Sequence, residues 1–157
     1  MPLPIHPKQI HPMNLTQRPP RSPRVRLGGY VILPRMLDKC RAELAETPGE
    51  YHYNCPLDQQ FLTFTGTDPD ALKAEVAKCL GDWELLAWIT AHATQKREAW
   101  EIAQWSAFRE AAVPLDNESR IHFNEMIASC GSDNREDISS WFDVLDLDDY
   151  VTFAGKA

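Results

Sequence analysis

The sequence predicts a mainly all-α fold, a compact bundle of about six or seven short helices in a single domain. Three observations carry the prediction. Apolar residues recur at intervals of three and four along most of the chain, helix starts and stops are marked by Asp, Pro and Gly, and no succession of alternating strands occurs. A chain of 157 residues suits one hydrophobic core. Seven of its twelve prolines fall within the first 23 residues, so residues 1–20 read as an extended proline-rich arm and residues 21–157 as the helical domain.

In the first helix, expected over about 34–46, Leu33, Leu37, Cys40 and Leu44 form the stripe and Pro34 suits the first turn. Gly28-Gly29 just ahead marks a turn. A shorter helix follows "NCP", with Leu57, Phe61 and Phe64 on one side and Gly66 as its stop. The third is punctuated at both ends: Asp68 caps it, Pro69 opens it, Leu72, Val76, Cys79 and Leu80 make its stripe, and Gly81 closes it. "DWELLAWITAH" gives a fourth helix and "KREAWEIAQWSAFREAAV" a fifth, with Trp83, Trp88, Trp100 and Trp105 read as core aromatics. Asp116 caps a sixth lined by Phe123, Met126, Ile127 and Cys130, and Ile138, Trp141, Phe142 and Leu145 mark a seventh. "GYVIL" and "YVTF" look extended, which allows a small two-stranded pairing of 29–33 with 150–153.

An apolar fraction of 43% and a charged fraction of 25% are those of an ordinary soluble protein. No apolar run reaches the roughly 18 residues of a membrane span, and no secretory signal opens the chain, so a cytoplasmic protein without membrane contact is expected. Cys40, Cys55, Cys79 and Cys130 stand apart with no CxxC pair, as reduced thiols do. The net charge of −7 is unevenly spread: through Arg41 eight Lys/Arg face only Asp38, and thereafter eight face twenty-two acids. The basic leading segment suits an anionic ligand, or it lies across the acidic body of its own or a neighbouring chain. The acidic remainder repels phosphates and no recognition motif is present, which argues against nucleic acid.

Two segments concentrate groups with chemistry. In "EYHYNCPLDQQF", Cys55 falls at a helix cap where free N–H groups and the helix dipole favour a thiolate, and His52 lies three residues earlier. Tyr51, His52, Cys55 and Asp58 are therefore the candidate catalytic residues, with Tyr51, His52 and Asp58 as acid/base groups and Asn54 offering hydrogen bonds. The alternative is a capped helix start whose polar tips face water. In the basic stretch, Arg24 and Arg35 present guanidinium forks to a carboxylate or phosphate, Gly28 and Gly29 allow close backbone approach, and Tyr30 and Asp149 complete a polar pocket. The alternative there is a tight turn whose arginines pair with the acids of the body. Glu118, His122 and Glu125 share a helix face without a di-metal motif, and the terminal aspartates lack the order of a calcium loop. No metal and no cofactor are expected, since no dinucleotide, phosphate-loop or zinc-protease fingerprint occurs.

Three blocks in order, "RSPRVRLGGYVILPRMLDKCRAEL", "GEYHYNCPLDQQFLTFTG" and "WFDVLDLDDYVTFAGKA", resemble the bacterial family catalogued as domain of unknown function 5069, from about Arg21 to Ala157. The resemblance implies a small bacterial cytoplasmic protein and assigns no chemistry to any residue. Its blocks include the polar, glycine-containing segments that flank helices, which favours a pocket where those segments meet. The functional expectation is a small-molecule-binding protein or enzyme with a pocket for an anionic ligand, built from Arg21–Arg35 and Tyr51–Asp58. The second expectation is a noncatalytic interaction module that uses the arm to clasp a partner or a second copy of the chain.

Overall fold

A computed structural model describes residues 13–133 and 135–157. Seven α-helices follow one another: α1 (Leu33–Leu44), α2 (Pro56–Thr65), α3 (Pro69–Val76), α4 (Asp82–His92), α5 (Ala99–Glu110), α6 (Asn117–Ser129) and α7 (Trp141–Thr152). Most of the expected punctuation is present. Asp68 accepts the Ala71 N–H at 2.7 Å, Gly66 ends α2 in the left-handed conformation, and Asp116 accepts the Ser119 N–H at 2.7 Å.

The centre of the fold is α1, with α2 and α3 packed against it, α4 against α3, and α6 against α7. Every residue from Val31 to Cys40 is buried, which a helix with one apolar face does not achieve. Met36, Leu37 and Cys40 meet Phe61, Leu72 and Leu85 in the main core. Phe123, Ile127 and Val144 form a smaller core between α6 and α7, and Phe142 carries α7 back to the main one.

The approach to α1 is built by a two-residue turn. Leu27 and Tyr30 exchange backbone hydrogen bonds of 3.1 and 3.0 Å, while Gly28 and Gly29 take φ of 59° and 84°. Both central residues of such a turn need positive φ, which is why glycine occupies them. Ser106 of α5 locks the turn: its hydroxyl donates to the Gly29 carbonyl at 2.7 Å and accepts the Val31 N–H at 3.2 Å. Ile32, fully buried, also has positive φ, a strained state for a β-branched residue that its hydrogen bond to Pro23 O and complete enclosure maintain.

Four expectations are corrected. "YVTF" does not pair with 29–33; Tyr150–Thr152 complete α7, and no strand occurs among the described residues. The helix is started by a reciprocal cap between Ser140 and Asp143, and it must continue to bring Asp149 against α1, so context overrides β-propensity. Trp83 and Trp100 are 73% and 63% exposed, because α4 and α5 turn Leu85, Ile89 and Ser106 inward instead. In α3 the helix stops at Val76, and Cys79, expected in its stripe, is exposed with positive φ. Leu44, the last residue of the expected α1 stripe, is exposed at the end of that helix.

Residues 1–12 of the proline-rich arm lie outside the described residues. From Met13 on, Leu15 is buried, its N–H donates to Thr47 O at 3.0 Å, and the Thr47 hydroxyl donates to Met13 O at 2.8 Å.

Gly28→Ala tests the turn. A Cβ there stands 2.6 Å from a Leu86 methyl in a left-handed conformation, and a loss of about 1–3 kcal/mol in urea unfolding is expected. An unchanged midpoint would remove the turn from the determinants of the fold.

Candidate functional site

Burial of Arg35, Asp38 and Lys39 in α1 is achieved through pairing of these charges. Arg35 makes a two-pronged bond to Asp149 of α7 (2.7 and 3.2 Å), and the Tyr51 hydroxyl donates to the same carboxylate at 2.8 Å. Asp38 accepts three hydrogen bonds from Arg21, from its backbone N–H, Nε and Nη2, at 2.9–3.0 Å. Arg21 and Arg41 both reach Asp82 at the start of α4, at 2.7 and 2.9 Å. One turn along α1 from Arg35, Lys39 donates to Asp58 at 2.7 Å and approaches Cys55 Sγ at 3.1 Å, while the Asn54 N–H donates to the other Asp58 oxygen at 2.9 Å.

Arg24 and Arg26 of the leading segment are paired too. Arg24 binds Asp143 and Asp146 of α7, and Arg26 binds Glu110 of α5. These partners shift the titration of the network. Burial alone would raise the Asp82 carboxyl, but hydrogen bonds from Arg21 and Arg41 hold it below its usual range. Burial pushes Asp58 up against the opposing pull of Lys39. Burial, with the bond to Asp149, pushes the Tyr51 phenol up, so Tyr51 is a hydrogen-bond donor that keeps its proton.

The residues singled out from the sequence do not form one pocket. Arg35, Tyr51 and Asp149 converge, and Cys55, Asp58 and the Asn54 backbone converge beside Lys39. Tyr30 lies instead in an aromatic cluster, edge-on to Phe61 at 5.1 Å and Trp105 at 6.2 Å, next to the Gly28-Gly29 turn. Arg24 faces α7, and His52 is exposed. Lys39 was not singled out, although its i+4 spacing from Arg35 puts both cations near one face of α1.

A second feature, not foreseen, lies between α2 and α5. Pro56, Gln59, Gln60 and Phe64 of α2 face Trp105 and Arg109 of α5 and the preceding Arg97 across a groove of about 520 Å³. Phe64 and Trp105 stack with centroids 4.8 Å apart and planes within 4°. The Arg97 guanidinium lies over Phe64 at 4.3 Å and that of Arg109 over Trp105 at 5.8 Å. Arg97 also has partners in Phe64 O at 3.0 Å and Glu101 at 3.4 Å. Arg109 differs. Among the described residues it is the one arginine that is not exposed and has no carboxylate within 4.0 Å. Its Nε is buried without a hydrogen-bond partner, and burial pushes its guanidinium down from its ordinary value. The i, i+4 spacing of Trp105 and Arg109 was visible in the sequence, but their apposition to Phe64 was not.

A smaller cavity of about 300 Å³ lies between Arg135–Ile138 and α7, lined by Asp137, Asp143 and Asp146 among others. No group of three His, Cys, Asp or Glu placed to hold a metal ion occurs among the described residues.

Asp82→Asn is expected to cost about 1 kcal/mol at neutral pH, since its two guanidinium partners are partly solvated. A depressed carboxyl stabilises the fold above the ordinary carboxylate value and loses that contribution as pH falls through the lowered one. The gap between wild type and Asp82→Asn in urea unfolding should therefore begin to narrow below about pH 4 and close as the pH falls through the lowered value. A gap that persists in acid would show that the carboxylate charge is not what Arg21 and Arg41 use.

A search of the curated proteins returns no match to this chain. The family described as Domain of unknown function (DUF5069) matches residues 17–151, a span that contains α1 to α6, nearly all of α7, the paired charges around α1 and the α2–α5 groove. The chain belongs to that family of unknown function.

Proposed function

We propose that this domain is a small-molecule-binding protein for an organic anion, a carboxylate or phosphate carried on an apolar or aromatic body, and that the ligand sits in the α2–α5 groove. One observation carries the reading: Arg109 is a partly buried cation with a buried, unpartnered Nε and no carboxylate of its own. An anion supplies the missing partner. The stacked Phe64 and Trp105 offer an apolar wall, and the Gln59 and Gln60 amides can orient polar substituents. A volume of about 520 Å³ falls within the roughly 300–1,000 Å³ of small-molecule sites.

The same class of ligand was expected between Arg21–Arg35 and Tyr51–Asp58. An anion entering there would displace Asp38 or Asp149 from an arginine, and an unpaired buried carboxylate costs about 3–5 kcal/mol. The groove carries no such penalty, which favours it. A bacterial, cytoplasmic setting belongs to this proposal, and four free cysteines fit a reducing compartment. No helix among the described residues is long and apolar enough to cross a membrane.

A second reading, a self-associating interaction module, draws support from the exposure of Trp83, Trp100, Phe108 and Leu115. Sedimentation of the full chain and of a chain lacking residues 1–12 tests it. Association weakened by the deletion supports the arm as a clasp, and a monomer in both removes the reading.

Titration with benzoate, phenyl phosphate and inorganic phosphate, followed by NMR of the Arg109 Nε–H and the Trp105 indole N–H, tests the groove. Saturable shifts with the two aromatic anions are expected, with inorganic phosphate weaker. Arg109→Gln should weaken binding about tenfold or more, as loss of a charge-assisted hydrogen bond does, without lowering the melting temperature. Equal affinity in Arg109→Gln, or shifts confined to Arg24 and Arg35, would move the ligand out of the groove.

A further inference from the structure

The geometry assigns Cys55 and Lys39 as a site of oxidative modification, at which hydrogen peroxide converts the thiol and the amine into a direct sulfur–nitrogen cross-link between the start of α2 and the middle of α1. The inference is independent of the ligand groove.

Three placements carry it. The Lys39 ammonium is buried, pinned by the fully buried Asp58 at 2.7 Å, and sits 3.1 Å from Cys55 Sγ. Asp58 is in turn held by the Asn54 N–H at 2.9 Å, so neither member of the ion pair is free to swing away from the sulfur. Cys55 is only half-buried, at the cap of α2 where backbone N–H groups lack helical partners, so a small oxidant can reach it. No other cysteine combines these features. Burial pushes the Cys40 thiol up to about 12, Cys130 is buried beside Asp148, and the exposed Cys79 has the Ala77 carbonyl as its contact.

The chemistry balances with one peroxide. The Cys55 thiol is oxidised by two electrons to a sulfenic acid as peroxide takes them up, and one water leaves. Asp58, whose burial raises its affinity for a proton, accepts one from the Lys39 ammonium across their hydrogen bond. The freed amine attacks the sulfenic sulfur, an S–N bond forms, the S–O bond breaks, and a second water leaves. Thiol, amine and peroxide give the linked pair and two waters. A thiol reductant reverses the link by attack at sulfur, returning the amine and, through a disulfide with the reductant, the Cys55 thiol.

Peroxide treatment of the full folded chain, followed by denaturation, alkylation and peptide mass spectrometry, tests the assignment. The expected product joins the peptides of Lys39 and Cys55, lacks two hydrogens relative to their sum, and disappears on treatment with dithiothreitol. Lys39→Arg keeps a cation opposite Asp58 but removes the nucleophilic amine. That variant should give no linked pair and several-fold more Cys55 captured by the sulfenic-acid reagent dimedone. Cys55→Ser, which leaves the ion pair intact, should give no link. The assignment is overturned if wild-type and Lys39→Arg chains yield equal dimedone capture, or if Cys55 proceeds to sulfinic acid as freely as Cys79. A linked pair that retains an extra oxygen overturns the direct S–N bond.

Discussion

The fold depends on burying a charged helix. α1 carries Arg35, Asp38 and Lys39 within five residues, and all three side chains are almost wholly removed from water. Such burial is tolerable only when each charge meets a hydrogen-bonded partner, because an ion left alone in the interior costs several kcal/mol. The partners come from distant parts of the chain: Asp149 near the C-terminus, Arg21 ahead of the helix, and Asp58 on α2. Each pair therefore also sets a position. Arg35–Asp149 fixes where α7 lies on α1, Lys39–Asp58 fixes the start of α2, and the Arg21–Asp82–Arg41 group fixes the start of α4. These pairs need not add much net stability over apolar replacements. They do exclude other rotations of α1, since turning the helix would leave a buried charge without its partner.

The same reasoning separates the two regions rich in arginine. A guanidinium that already holds a carboxylate in two-pronged geometry has little to gain from a second anion, and the carboxylate would lose its own partner. That describes Arg21 and Arg35, and Arg24 is divided between Asp143 and Asp146. Arg109 has the opposite balance. It lies against Trp105 and Phe108, burial disfavours its charge, and one of its nitrogens has no partner. A group of this kind is either a small defect or half of an interaction. Its position over a stacked aromatic pair, in a groove walled by two helices, favours the latter.

Much of the helical framework was legible because helix punctuation is local. Asp68, Pro69, Gly66, Asp116 and the proline at the start of α2 act on neighbouring backbone groups, so sequence spacing is enough to place them. Orientation was less legible. Trp83 and Trp100 look like core residues from spacing, yet α4 packs on α3 through Leu85 and Ile89, and α5 turns Ser106 to the Gly28-Gly29 turn. "YVTF" looks extended from its β-branched residues, yet it continues a helix whose Asp149 is needed by Arg35. Of the expected site, the meeting of Tyr51, Arg35 and Asp149 was anticipated as a convergence of segments, but the carboxylate that joins them also uses the guanidinium. Lys39 and the Phe64–Trp105–Arg109 arrangement left only i, i+4 spacings as a local signature, because their meaning lies in contacts between residues well separated along the chain.

By itself the sequence determined that this chain is a bundle of short helices, with a basic leading segment, an acidic body and a capped helix at Cys55. Hydrophobic period and caps are properties of a few adjacent residues, and charge balance is a count. The tertiary structure alone decided which charges were spent. Arg35 could have faced a ligand or Asp149, and Lys39 could have faced water or Cys55 and Asp58. Folding brings carboxylates 114 and 19 residues away within hydrogen-bond reach of these two cations, and leaves Arg109 with an aromatic neighbour and no anion. Pairing in a dry interior is a matter of ångströms in space, and sequence distance carries no measure of that.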